Sequence, residues 1–238
     1  MRIVEKLLER DVSGNYIYKG IDPSAQRYQS IYTACRRGYL PVVKFLLNMK
    51  DGKYVVPGMN GVDFSSVLSA AINWNQEGIV KWLLRMNKVG EYVLPGMYGV
   101  NLIQALWDAI RQDDTKVVSV LLKMENGKYV LPGMNGVDLT LVLSAAIEGH
   151  RKRIVKWLLR MNKVGEYVLP GMSGVDLTRA LSTAIKWSWN DRGLDIVNFL
   201  LSKSPDGSYL LSGIKVTEDM LRISNQSPKL RELLERHL

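Results

Sequence analysis

The sequence predicts a mainly α chain, an α-solenoid of helix-turn-helix repeats joined by hairpin-like loops. Three observations carry that prediction. A glycine–tyrosine phrase returns at a near-constant interval, paired leucines keep step with it, and the apolar residues between them are spaced for helical faces.

The phrase reads glycine, any residue, tyrosine, two apolar residues, any residue, glycine, apolar. It starts at Gly14, Gly52, Gly90, Gly127, Gly165 and Gly207. Its tyrosines, Tyr16, Tyr54, Tyr92, Tyr129, Tyr167 and Tyr209, are 38, 38, 37, 38 and 42 residues apart. Four copies close on Pro-Gly-Met, from Pro57, Pro95, Pro132 and Pro170. Leucine pairs preceded by paired β-branched residues stand at Leu7-Leu8, Leu46-Leu47, Leu83-Leu84, Leu121-Leu122, Leu158-Leu159 and Leu200-Leu201. Residues 52–97 and 127–172 differ at ten positions, six of them in the block 73–78 against 148–153, so the copied unit is a pair of repeats 75 residues long.

Each repeat resolves into two helices. Over 139–147, Leu139, Val142, Leu143, Ala146 and Ile147 follow the i, i+3, i+4, i+7, i+8 spacing of one face. Asp138 stands just before, where a carboxylate can accept the unpaired N–H groups of a first turn, and Asp63 and Asp176 occupy the same place. The second helix turns Ile154, Val155, Leu158 and Leu159 inward, and Gly165 follows its end. Between repeats, Tyr-Val-Leu-Pro-Gly-Met-Asn-Gly-Val combines strand formers with turn formers and predicts a hairpin finger bent at Pro-Gly. One pair of short helices cannot bury both its apolar faces, so neighbours must stack. The expected organisation is one repeat domain over 1–238 with about six repeats, a partial one at 1–21 and a polar cap at 208–238. Ile3 to Leu8 match Ile79 to Leu84, so the chain opens inside a second helix, as a piece of a longer protein or an improvised cap would.

The run Leu139-Thr140 through Ala145-Ala146-Ile147-Glu148-Gly149-His150, followed by Ile154-Val155-Lys156-Trp157-Leu158-Leu159, resembles ankyrin repeats. The likeness extends in register over essentially the whole chain. Two departures stand out: the period exceeds the family's 33 or so residues, and Leu-Thr-x-x-Leu replaces its Thr-Pro-Leu-His signature. The resemblance implies a concave binding surface made of the first helices and the fingertips.

Composition narrows the function. At 47% hydrophobic and 23% charged the chain has the balance of a folded soluble protein. It lacks an apolar run of the ~20 residues a membrane span needs, and its N-terminus is too charged for a signal peptide. The single cysteine, Cys35, cannot form an internal disulfide, which points to the cytoplasm, or to a host cytosol if the protein is a secreted effector. Cys35 stands where other copies have Ile72, Ile110, Ile147 and Ile185, and reads as a core residue. Two histidines and one cysteine, at no ligand spacing, form no metal site, and the glycines form no phosphate loop, so neither an enzyme nor a cofactor is expected. Asp113-Asp114 and His150 read as solvated loop residues, the Pro-Gly-Met methionines and the repeated tyrosines as packing, and Trp82 and Trp157 as second-helix packing against a neighbour.

Positions that recur must serve the recurring core, so those that differ are free for a partner. On the first helices these are Ser66, Ser69 and Asn73, then Gln104, Trp107 and Arg111, then Leu141, Ser144 and Glu148, then Arg179, Ser182 and Lys186. Trp74, Trp187 and Trp189 in the divergent inter-helix loops, and Tyr98 on a fingertip, join them. Trp107, an indole on a polar face, has the character of a binding hot spot. The expected function is a monomeric protein-interaction module that binds another protein through this surface. The net charge of +9 raises nucleic-acid binding by a basic repeat array as the alternative. Against it, Lys81, Arg85, Lys156 and Arg160 recur on the second helices, away from the variable row, with no repeating aromatic-plus-basic face. A recruitment arm of a larger, host-directed bacterial effector is the third reading.

Overall fold

A computed structural model describes Lys6, Glu9, Val12, Ser13 and residues 25–56, 58–188, 191–203, 209–211, 213–224 and 227–237. The partial repeat expected at 1–21, with Leu7, Leu8 and Tyr16, thus lies almost wholly outside the described residues, as do Pro57 and Trp189.

The chain is mainly helical, and its described residues form two compact units: Met1–Gln112 with Val130–Gly133, and Asp113–Tyr129 with Met134–Leu238. In the first unit α1 (Ala25–Arg37), α3 (Phe64–Asn73) and α5 (Leu102–Arg111) are first helices, while α2 (Leu40–Leu46) and α4 (Glu77–Leu83) are second helices. Like packs on like: α1 on α3, α3 on α5, and α2 on α4. The second unit holds α6 (Thr115–Leu121), α7 (Leu139–Glu148), α8 (Lys152–Leu158), α9 (Leu177–Lys186) and α10 (Asp191–Leu200). There α7 packs on α9, α6 on α8, and α8 on α10. The chain then runs into α11 (Glu218–Ile223), which lies against α9, and α12 (Pro228–Glu235), which lies against α11.

The recurring apolar residues are the core. On α3, Val67, Leu68, Ala71 and Ile72 are buried, and Val142, Leu143, Ala146 and Ile147 repeat this on α7. The leucine pairs from Leu46-Leu47 to Leu200-Leu201 are buried, as are Met59, Met97, Met134 and Met172. The methionines are therefore packing residues. Cys35 is fully buried, and burial pushes its thiol up to about 12, so it is un-ionised at physiological pH.

Helix starts follow the caps. Asp63 Oδ1 accepts from the Ser65 and Ser66 amides at 3.0 and 3.4 Å, Asp138 Oδ1 from Thr140 and Leu141 at 2.8 and 3.3 Å, and Asp176 Oδ1 from Arg179 at 2.9 Å. Asn101 serves α5 in the same way. Asp114 is also a cap, accepting from Lys116 and Val117 at 3.0 and 3.1 Å, and Asp113 Oδ2 accepts from Arg153 Nε at 2.9 Å. The acidic pair is thus engaged at the start of α6 and half-buried, not a solvated loop feature. His150 is half-buried too. It shares a left-handed backbone with Asn75 and Asp113 at equivalent places in the helix–helix turns, with φ of 54° in all three, where Gly38 stands in an earlier copy.

The finger differs from expectation in where it bends. Met49–Lys50 (β1) pairs antiparallel with Lys53–Tyr54 (β2), and Met124–Glu125 (β3) with Lys128–Tyr129 (β4). The reversal lies at Asp51-Gly52 and Asn126-Gly127, where both residues have positive φ (49° and 74°, then 50° and 75°). That is the two-residue turn whose twist matches paired strands. The Pro-Gly-Met stretches instead coil into short 3-10 turns, such as Pro95–Gly99 and Pro170–Gly174, which pack on α3 and α7.

Two outcomes test this assignment. Asp63→Ala lowers unfolding stability by about 1 kcal/mol at neutral pH. A hydrogen bond from the Ser66 hydroxyl holds the Asp63 carboxyl below its ordinary value, so its contribution is present above the unfolded pKa and fades as pH falls through the folded one. Urea melts of the two proteins should therefore converge in acid. Cys35 should react with iodoacetamide orders of magnitude more slowly in the folded chain than in urea; fast labelling of the native protein would show that the α1–α3 packing opens readily.

Candidate functional site

A polar network crosses from α3 to α5 in the first unit, and Asp108 is its centre. Asp108 sits on the inner side of α5 at 3% exposure, and among the described residues it alone combines charge with burial. Burying a carboxylate is costly unless its oxygens are bonded. Oδ2 accepts from Ser69 Oγ at 2.9 Å, and Oδ1 accepts from Gln104 Nε2 at 3.0 Å and from the Arg111 guanidinium. The chain of bonds continues outward: Asn73 Nδ2 donates to Ser69 Oγ at 3.2 Å, and Gln112 Nε2 donates to Asn73 Oδ1 at 3.4 Å. A cleft of about 100 Å³ opens beside it, between Ser65 and Ser69 on one wall and Gln104 and Asp108 on the other.

Helical spacing explains the grouping. Gln104, Asp108 and Arg111 lie four and three residues apart on α5 and share a face, as Ser69 and Asn73 do on α3. Trp107 stands on α5 between these polar residues, half-buried. Of the residues expected on this surface, the structure joins Ser69, Asn73, Gln104 and Arg111 directly. Ser66 is drawn instead to Asp63, its hydroxyl donating at 2.6 Å. Trp74 is 53% exposed at the end of α3, with the Arg36 guanidinium 4.9 Å from its ring centre. Tyr98 is 60% exposed and meets buried Tyr92 edge-on at 5.2 Å.

The second unit presents its own row. Leu141 is 54% exposed on α7, and Glu148, Arg179 and Lys186 are exposed on α7 and α9. Trp187 ends α9 and is exposed at 38%. Ser188 is buried beside it, its hydroxyl donating to the Ile185 carbonyl at 2.7 Å. A Cβ at Gly193 would lie 2.5 Å from Ser188 Cα, so only glycine lets α10 approach this turn.

Sequence reasoning missed Asp108 and Gln112. The signal was present: Asp108 stands where other copies have Ala70, Ala145 and Thr183. It is one residue beyond the variable row, on the side that faces the neighbouring helix. On the second helices Trp82 and Trp157 are half-buried, each paired with the arginine that follows its helix. Arg85 lies over Trp82 with 3.8 Å from guanidinium carbon to ring centre, and Arg160 over Trp157 at 4.9 Å.

These groups supply hydrogen-bond donors and acceptors, one guanidinium and exposed rings. That is equipment for recognising the polar backbone and side chains of a partner. Among the described residues no three His, Cys, Asp or Glu side chains are grouped to hold a metal ion, and no helix is long and apolar enough to cross a membrane. Comparisons with family models, curated proteins and solved structures find no match to this chain.

Asp108→Ala should cost about 1–3 kcal/mol in urea unfolding, because the donors aimed at the carboxylate lose their acceptor. In a double-mutant cycle with Ser69→Ala the coupling should be about 0.5–1.5 kcal/mol. Additive losses would mean that the α3–α5 bond is absent in solution.

Proposed function

We propose that this protein is a binding module of the ankyrin-like solenoid kind, recognising another protein through the outward row of its first helices and the adjoining turns. One observation carries the reading: on the first helices of each unit the apolar residues that recur between copies are buried, while Asn73, Gln104, Arg111, Leu141, Glu148, Arg179 and Lys186, which differ between copies, are exposed. A recurring core needs recurring residues, and a surface kept for solubility alone needs none of the rings found there. In the first unit Trp107 lies between Gln104, Arg111 and the Asp108 network, so a ring with apolar area is framed by fixed polar groups. Hot spots of protein interfaces combine these two features. The bonds to Asp108 hold Gln104 and Arg111 in place before a partner arrives, which lowers the ordering cost of binding.

The test uses the whole chain as bait. A partner retained by the wild type should be weakened about tenfold or more by Trp107→Ala, the loss of about 2 kcal/mol expected of a buried interfacial ring, with the thermal melt little changed. A large loss of thermal stability in Trp107→Ala would assign the indole to the fold. Retention of partner by both Trp107→Ala and Arg111→Ala would remove α5 from the interface.

A further inference from the structure

A cavity of about 320 Å³ lies in the first unit on the second-helix side, between α2 with the start of its finger and α4 with the finger that follows it. Lys44 and Asn48 stand on one wall, Trp82 and Arg85 on the other, and Leu47 and Leu94 form part of its apolar lining. Pockets of this size hold small ligands or single side chains of a partner. Both charged lining residues are cations, and among the described residues neither Lys44 nor Arg85 forms an ion pair with a carboxylate.

Arg85 is the organised element. Its guanidinium lies on the Trp82 indole at 3.8 Å, and one of its NH groups donates to the Trp82 carbonyl at 2.9 Å. A guanidinium carries five N–H donors in a planar fork. With its flat face covered by the ring and one donor committed, the remaining edge can meet an anion in two-pronged fashion. Burial pulls the group below its ordinary pKa, which records partial removal from water. An arginine that merely covered apolar surface would extend its head into water. This one is held half-buried against a cavity.

We propose that the cavity between α2 and α4 receives a carboxylate side chain from an acidic peptide segment of a partner protein, with Arg85 as the two-pronged donor and Lys44 as the second positive charge. The indole argues against a nucleic-acid strand, because its face toward Arg85 is already occupied and single-strand binding relies on free aromatic faces for stacking. A pocket of about 320 Å³ with two cations matches one anionic side chain better than it matches a run of phosphates. The site is separate from the first-helix row and does not depend on it.

Fluorescence anisotropy at low ionic strength with a labelled hexaglutamate peptide tests the proposal. The 238-residue chain should bind it saturably and leave hexaglutamine unbound. Arg85→Gln should weaken binding about tenfold to a hundredfold, the loss expected for a charge-assisted pair, and Arg85→Lys should recover part of it. Lys81→Gln, on α4 four residues before Arg85 but paired with Glu77, should change it by less than about twofold. Trp107→Ala should leave it unchanged, so failure here and failure of the first-helix interface are told apart. If Arg85→Gln melts below the assay temperature, Lys44→Gln, an exposed position, carries the same readout. Equal weakening by Lys81→Gln, indifference to both Arg85 and Lys44, or tighter binding of an oligothymidine strand would each overturn the assignment.

Discussion

Helices of seven to ten residues, such as α2, α3 and α4, are too short to be stable alone in water, and a single pair of them leaves apolar faces uncovered. What the rest of the structure depends on is the burial of those faces against the next equivalent helices. First helix meets first helix and second meets second within each unit, so the same side chains must be supplied at each step. This accounts for the tyrosine spacing, for the leucine pairs and for the buried methionines that end four of the fingers. It also dictates where variation is allowed: a residue that touches its counterpart in the next copy cannot change without the other, whereas one that points to water can.

Asp108 is the instructive exception. It occupies a position that faces a neighbouring helix, yet it is a charged group in place of the alanine or threonine of other copies. It is tolerated because three side chains bond its two oxygens: Gln104 and Arg111 from its own helix, and Ser69, whose bond ties α3 to α5. The consequence is local rigidity beside Trp107. Arg85 and Trp82 show the complementary device on the second helices, a cation braced by a ring and a carbonyl instead of by an opposite charge.

Much of the fold was legible in the sequence, because repetition writes the same message several times. The helix pairs, the caps at Asp63, Asp138 and Asp176 and the burial of Cys35 all follow from spacing and residue type. The bend of the finger was misplaced. Pro-Gly is a strong turn signal, but Asp51-Gly52 and Asn126-Gly127 accept positive φ at both positions, which tight hairpins require. The candidate site was legible only in part. Asn73, Gln104 and Arg111 stood out because they differ between copies, while Asp108 and Gln112 did not, since their role arises from contacts with a helix about 39 residues away.

The sequence by itself determined that this chain is mainly helical, that it is built from copies, and which side chains of each copy must be buried. Those properties come from periodicity and local chemistry, which a linear string records. Tertiary structure decided how the polar exceptions are resolved: that Ser66 turns back to Asp63, that Asp108 collects Ser69, Gln104 and Arg111, and that Arg85 lies on Trp82 beside an open cavity. The Ser69–Asp108 bond joins residues 39 apart, and the others, although three or four residues apart, are choices of partner that spacing alone does not make.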